Sequence, residues 1–471
     1  MVAETRDLAD PALYKLVAVV LLGGVMGILD GTMVAVGADT LGAAFAAPLT
    51  TIGWVSTGYL LALTATIPIT AWAADRFGGR RLWLFGLVLF LGASLACGLA
   101  WDVPALIVFR VLQGIGAGVL DPLVLILLAR AAGPGRAGRV MALMAGVLSL
   151  GPVLGPVVGG VVLQGLGWRW LFLINLPIGL AALAGSVRLL PADAPDPGRP
   201  RARLDLIGAA VVTPGFGVVV LALSRAGDRA GFASPAVLVP LAAGAVLLAA
   251  YAVRALRVRR TPPLIDLRLF ARPGFAPRVA VMAVTGLAMF ALLFALPLYD
   301  QQARGAGALA AGLLVAPFGV SSAVAAPLAG RLAVRFGTRA VVRTGALAAA
   351  AGAYGFTWTG AAAPGFWPVL AAVAVGAGLG FVGAPTMGSL YEALPAALVP
   401  QGSSVLYMLN QLGASFGVAV VALIVQTAGG ADPVRGFHGA AWFLTAAALV
   451  LAVAAGGLQA SRRKASPSRT T

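Results

Sequence analysis

Four polar side chains interrupt apolar runs that would otherwise continue unbroken. Asp30 sits in Gly27-Ile28-Leu29-Asp30-Gly31-Thr32, Arg110 and Gln113 in Phe109-Arg110-Val111-Leu112-Gln113, and Asp121 in Val119-Leu120-Asp121-Pro122. A carboxylate at the centre of a membrane helix costs about 2.5–3.5 kcal/mol, so such residues face a cavity or a partner. Beside a guanidinium a carboxylate stays ionised, and when the pair opens a proton can take the place of the cation. Asp30 with Arg110 therefore suits reversible proton binding; a fixed ion pair tying two helices together is the alternative. Gln113 lies one turn from Arg110, either within the same hydrogen-bond network or as a polar filler. Asp121 follows Arg110 by almost three full turns, so both project from one face. It reads as a second titrating site, a contact for a cationic ligand, or a wetted acid near a mouth.

Other chemistries lack their residues. The chain holds one Cys, Cys97, and one His, His438, so no intrachain disulfide, CxxC, HExxH or Cys/His zinc site can be built. Lys15 and Lys464 stand outside any GxxxxGK[ST] loop, and no nucleophile and base are set for catalysis, so an enzyme is not expected. No organic cofactor or metal is expected either; the proton is the one coupling ion in view. Composition points the same way: of 471 residues, 60% are hydrophobic and 10% charged, against roughly 25% charged in soluble domains. The net charge of +17 could suggest nucleic acid, but the basic residues form short clusters between apolar runs, with no basic face. Lipid, not nucleic acid, is the expected partner.

A helix needs about 20 apolar residues to cross the bilayer core, and fourteen runs meet that need: 15–36, 51–73, 81–101, 104–128, 139–164, 168–190, 205–224, 236–256, 279–299, 308–331, 339–360, 366–390, 403–426 and 439–459. The first continues into Asp30 without a small-residue cleavage site and reads as a retained helix. An even count puts both ends on one side. With the N-terminus inside, the inner segments collect Arg76, Arg80 and Arg81, then Arg130, Arg136 and Arg139, the run from Arg254 to Arg278, and Arg331 to Arg343. The outer loops hold only Arg169, Arg225, Arg229, Arg304 and Arg435. That asymmetry places both termini in the cytoplasm.

The chain also repeats itself. Asp75-Arg76-Phe77-Gly78-Gly79-Arg80 after the second run returns as Val334-Arg335-Phe336-Gly337-Thr338-Arg339 after the tenth. Two runs further on, Gly114-x-Gly116-x-Gly118 returns as Gly376-x-Gly378-x-Gly380. Both recur at about 260 residues with the same helix order and direction, the mark of a parallel repeat about an axis normal to the membrane.

On these residues the chain resembles the major facilitator superfamily, and within it the fourteen-span drug:proton antiporters. The loop after the second run is similar to the GxLADRxGRR signature, with Ala71 where Gly is usual; Val334 replaces the acid in the second copy. Leu29-Asp30-Gly31-Thr32-Met33-Val34, Arg110-Val111-Leu112-Gln113-Gly114, Gly151-Pro152-Val153-Leu154-Gly155-Pro156 and Trp168-Arg169-Trp170 through Asn175-Leu176-Pro177 resemble antiporter stretches in the same order. The resemblance implies an all-α integral membrane fold of two six-helix bundles, 1–190 and 279–471, with an inserted helix pair in 191–278. It implies alternating-access export of small organic compounds, lipophilic or cationic, in exchange for protons. Export of one natural product or amino-acid-like metabolite is the alternative, and a non-transporting membrane sensor a more distant one.

Roles follow residue by residue. Asp30, Arg110 and Gln113 are expected at the proton-coupling site, and Asp121, Tyr59, Asn175, Phe290 and Tyr407 along the substrate cavity, where core packing competes as an explanation for the aromatics. Gly151, Gly155 and Gly159 form a smooth stripe that lets another helix approach closely, and Pro152 and Pro156 can bend it; ordinary packing and closure of the cavity both fit. Asp75, Arg76, Gly78, Arg80 and Arg81 are expected to gate the inner end, with Asp75 meeting the positive end of the helix opened by Ser403-Ser404; a solvated turn is the alternative. The expected setting is a bacterial cytoplasmic membrane, and the expected working unit a monomer.

Overall fold

A computed structural model of the chain describes residues 11–47, 49–132, 151–193, 205–226, 233–257, 267–306, 308–360, 365–395, 398–429 and 432–458, together with residues 140, 143, 144, 147 and 263. Everything regular in these residues is helical. The first half runs α1 (Pro11–Val36), the short α2 (Ala38–Phe45), α3 (Leu49–Phe77), α4 (Gly79–Gly98), α5 (Val103–Ala132), α6 (Gly151–Gly165), α7 (Trp170–Leu173) and α8 (Asn175–Leu189). A pair follows, α9 (Leu206–Arg225) and α10 (Pro235–Arg257). The second half is α11 (Phe275–Arg304), α12 (Ala308–Phe336), α13 (Thr338–Gly355), α14 (Phe366–Ala393), α15 (Val399–Gly429) and α16 (Pro433–Ala454).

Among the described residues, twelve helical segments are long and apolar enough to cross a membrane. The fifteen described residues of α6 and α13, whose first turns carry Arg339 and Arg343, are not among the twelve. Continuous apolar helices suit lipid because every backbone N–H and C=O is satisfied within the segment.

The halves are built alike, and the glycine repeat is the reason. In the first, α5 packs against α3 and α4; in the second, α14 packs against α12 and α13. A Cβ on Gly114 would lie 2.4 Å from the Tyr59 carbonyl oxygen, and one on Gly376 would lie 2.1 Å from that of Phe318. On the alternate face, Gly116 meets the Phe90 backbone and Gly378 that of Ala349, at 2.9 and 2.5 Å. Each glycine lets two backbones touch where any side chain would separate them.

At the arginine-rich end the halves share one apolar core, in which Ala73, Leu127 and Leu128 join Leu390, Leu394 and Val399. At the opposite end the cores are separate, one around Met33, Val55, Leu106 and Phe172 and the other around Leu296, Tyr299, Leu314 and Phe437. The halves meet where α15 packs on α3 and α5, and where α6 packs on α12. The pair α9–α10 lies along the first of these seams: α9 touches both α3 and α15, Val212 and Phe216 enter the shared core, and Leu223 and Val237 pack with Ala419. Asp205 caps α9 through the Gly208 N–H at 2.9 Å and holds Arg254 of α10 at 2.8 Å.

Candidate functional site

Asp30 is fully buried on α1, inside a polar network drawn from α3, α4, α5 and α8. Arg110 of α5 donates through Nη1 to its Oδ2. Gln113, one turn along α5, donates through Nε2 to Oδ1 at 2.9 Å, and Asn175 at the start of α8 donates to the same oxygen at 2.7 Å. Ser94 of α4 accepts from Gln113 at 2.7 Å and from Asn175 at 3.0 Å, and the Cys97 thiol approaches Gln113 Oε1 at 3.7 Å. Arg110 also donates to Gln113 Oε1 at 2.8 Å and, through Nε, to the Val55 carbonyl of α3 at 3.1 Å. Its guanidinium lies over the Tyr59 ring, 4.1 Å from the centroid. A buried charge pair is tolerable only when its remaining lone pairs and protons are also bonded, and here amide donors supply the carboxylate.

The helices reach this point for local reasons. α1 has no charged residue after Lys15 except Asp30, so nothing else in its span competes for a polar partner. α1 lies close to α6 because Gly151, Gly155 and Gly159 face it: their Cβ atoms would fall 2.7 Å from Ile28 Cγ2, 1.8 Å from Thr32 Oγ1 and 3.2 Å from the Met33 backbone. The side chains of Pro152 and Pro156 lie outside the described residues. Gly24 brings α1 near α5, where a Cβ would lie 2.6 Å from Val124 Cγ2, and the Gly27 carbonyl accepts the Tyr59 hydroxyl at 2.9 Å.

Of the residues expected along a cavity, Tyr59 and Asn175 belong instead to this network; both are essentially fully buried, because their polar groups are spent on Gly27 and Asp30. Phe290 and Tyr407 are half-buried, and Tyr407 packs against the shared core. Asp121 lies one turn of α1 closer to the arginine-rich end than Asp30, beside Gly27. Ser94 and Cys97 escaped the sequence reading, since a lone Ser or Cys in an apolar run carries no chemical signal until its neighbours are known.

The loop between α3 and α4 carries ion-pair and capping contacts of its own. Asp75 pairs with Arg130 of α5 at 3.5 Å, and Arg76 is exposed. α15 begins at Val399, and the Ser403 hydroxyl donates back to the Val399 carbonyl at 2.8 Å, so Ser403 is a turn inside the helix rather than at its start. Asp193, just after α8, caps α4: it accepts from the backbone N–H of Arg80 and of Arg81, each at 3.0 Å. Gly78 makes room for it with φ 95°, and a Cβ there would lie 2.2 Å from the carboxylate. Arg80 then reaches the Val187 carbonyl at 2.6 Å. Gly337 repeats the conformation at φ 86° with open space around it. Val334, which stands at the place of Asp75 in the second copy, is 90% exposed.

Two like-built helical halves, closed together at one end and carrying a buried ion pair deep in one of them, define a two-bundle membrane transporter. The chain belongs to the Major Facilitator Superfamily: the family model matches residues 20–418 and again 282–470. It is 35% identical over 421 residues to the Multidrug resistance protein B homolog of Mycobacterium tuberculosis, covering 89% of this chain and 77% of that one. It is 32% identical over 451 residues to the Methylenomycin A resistance protein of Streptomyces coelicolor, covering 95% and 91%. It is 30% identical over 412 residues to the Tetracenomycin C resistance and export protein of Streptomyces glaucescens, covering 87% and 75%. Among solved structures, the human organic anion transporter MFSD10 superposes with a TM-score of 0.64 at 16% identity over 94% of this chain and 99% of that one. The proton:xylose symporter XylE does so with a TM-score of 0.64 at 17% identity over 94% and 95%; these two share the fold.

Proposed function

We propose that the protein is a proton-coupled antiporter that exports small organic compounds across a bacterial cytoplasmic membrane, working as a monomer with fourteen spans and both termini in the cytoplasm. The observation that carries this is the Asp30 site: a titratable carboxylate, fully buried, whose partners come from α5 and α8. A proton arriving on Asp30 cancels its attraction for Arg110 and turns one carboxylate oxygen into a donor facing donors. The network that fixes α1 against α5 and α8 must then rearrange. Because α1 also carries the face that packs on the α6 glycine stripe, a change there is passed to α6, which touches the second half. The separate cores at the end away from the arginines support an opening on that side, which under this orientation is the periplasmic or external one. The fourteen-span count is supported by helices at every one of the fourteen apolar runs with a described segment, α6 and α13 included.

Relatives named for multidrug resistance support a broad lipophilic or cationic substrate range. Those named for methylenomycin A resistance and for tetracenomycin C resistance and export favour a second reading, a dedicated exporter of one natural product; a panel of toxic compounds and metabolites in proteoliposomes separates the two by breadth. The coupling itself is tested in inverted vesicles with an imposed pH gradient. Asp30→Asn keeps the shape and the amide contacts but cannot exchange a proton, so pH-driven uptake should fall to background while downhill exchange persists. Full pH-driven uptake by Asp30→Asn would refute the assignment.

A further inference from the structure

Among the described residues, Asp121 is the one carboxylate deep within a membrane span that the ion-pair network does not use. It is 9% exposed, and among the described residues no hydrogen bond or ion pair reaches it, whereas Asp30 has three donors, and Asp75, Asp205 and Asp300 each face an arginine. The residues around it explain how it is held. Pro122 follows it in α5, Val124 packs into the space left by Gly24 of α1, and Gly27 faces it directly. A Cβ on Gly27 would lie 3.4 Å from Asp121 Oδ1, 3.6 Å from the Tyr59 hydroxyl oxygen and 3.7 Å from Ala117 Cβ. The carboxylate and the phenol oxygen thus border one small gap on α1, and the face of the Tyr59 ring is already covered by Arg110.

A carboxylate in such a place is costly unless something positive meets it. Arg110 is committed to Asp30, Gln113 and Val55, so the compensating charge must come from outside the network. We infer that Asp121 is the charge-selecting contact of the transport site and recognises an organic cation, a lipophilic ammonium or phosphonium. The Tyr59 hydroxyl and the Gly27 backbone shape the approach. Asp30 and Asp121 then divide two tasks on adjacent turns of the α1–α5 contact: one carboxylate exchanges protons and keeps its own arginine, and the other meets the cargo. Neutral lipophilic compounds use the apolar walls alone and gain nothing from Asp121.

This inference rests on the export reading but is tested by equilibrium binding, which needs no proton coupling. Purified protein is titrated with radiolabelled tetraphenylphosphonium and, separately, with neutral triphenylphosphine oxide. Asp121→Asn, nearly isosteric, should weaken phosphonium binding by about tenfold or more, as expected for losing one close charge pair, and leave the neutral probe within about twofold. Asp121→Glu should restore most of the phosphonium affinity. Gly27→Ala, whose methyl group fits at ordinary contact distance, keeps the charge but fills the gap and should weaken the cation selectively. Equal phosphonium affinity in wild type and Asp121→Asn overturns the inference, as does loss of both probes together with a monodisperse variant, or no saturable phosphonium binding by wild type. If instead Asp121→Asn behaves as expected while Asp30→Asn retains pH-driven flux, the antiport assignment fails and the cation site stands.

Discussion

Arg110 shows how much one side chain is asked to do. Its Nη1 serves both Asp30 and Gln113, its Nε serves the Val55 carbonyl, and its flat face rests on Tyr59. A lysine has the charge but neither the fork nor the planar face. Arg110→Lys is therefore expected to keep the protein in the membrane yet lower pH-driven transport by about tenfold or more, the equivalent of roughly 1.4 kcal/mol in the barrier. It should also lower the melting temperature in detergent. Transport and melting both at the wild-type level would mean that the site needs only a positive charge. Removing either partner outright is harsher, since an orphaned buried charge costs about 3–5 kcal/mol. Arg110→Lys avoids that cost because it keeps the charge, and so isolates the contribution of the fork and the planar face.

Helix contacts depend on absent side chains. Gly155 allows Thr32 Oγ1 to occupy the place of its own Cβ, at 1.8 Å, while Gly165 ten residues on has nothing within 4 Å. Gly155→Ala must push α6 from α1 or rotate Thr32, whose hydroxyl bonds the Ile28 and Leu29 carbonyls at 2.9 and 3.0 Å. Overpacking of this kind typically costs about 1–3 kcal/mol. A thermal-shift comparison should show Gly155→Ala melting several degrees lower with transport impaired, and Gly165→Ala indistinguishable from wild type. Matching curves for the two would remove close approach as the purpose of the stripe. The same logic explains why the Gly114 and Gly376 triplets repeat while their flanking residues do not: only the positions where backbones touch are restricted in size.

For the molecule as a whole, the arginine-rich end is the closed end and, under the proposed orientation, the cytoplasmic one. Phe77 at that end is 52% exposed and Trp101 at the opposite end is 73% exposed, while the single native cysteine, Cys97, is buried. Phe77→Cys and Trp101→Cys therefore need no cysteine-free background. A membrane-impermeant maleimide applied to intact cells should label Trp101→Cys and spare Phe77→Cys, and inverted vesicles should reverse the pattern. Labelling of Phe77→Cys from outside would invert the topology and with it the direction of transport. The seam covered by α9 and α10 belongs to the same scale: the pair touches both halves, so any closure at the far end must slide or carry it, with Asp205 and Arg254 keeping its two helices together.

Asp30 and Arg110 stood out from the chain alone because a charge inside an apolar run has few physical explanations, and Gln113 followed because it lies one turn from Arg110. The repeat, the helical class and the family were equally legible, since apolar length, arginine placement and glycine spacing are local properties that every tertiary arrangement must respect. Partners were not. Asn175 could not be told from a cavity residue, Ser94 and Cys97 were silent, and nothing marked Asp193 as the cap of α4, over a hundred residues away in the chain. Which polar group meets which is decided when helices distant in sequence pack, and that packing alone left Arg110 paired with Asp30 and Asp121 with nothing among the described residues to neutralise it. Sequence determined where charge enters the membrane; the tertiary structure decided which charge is already answered.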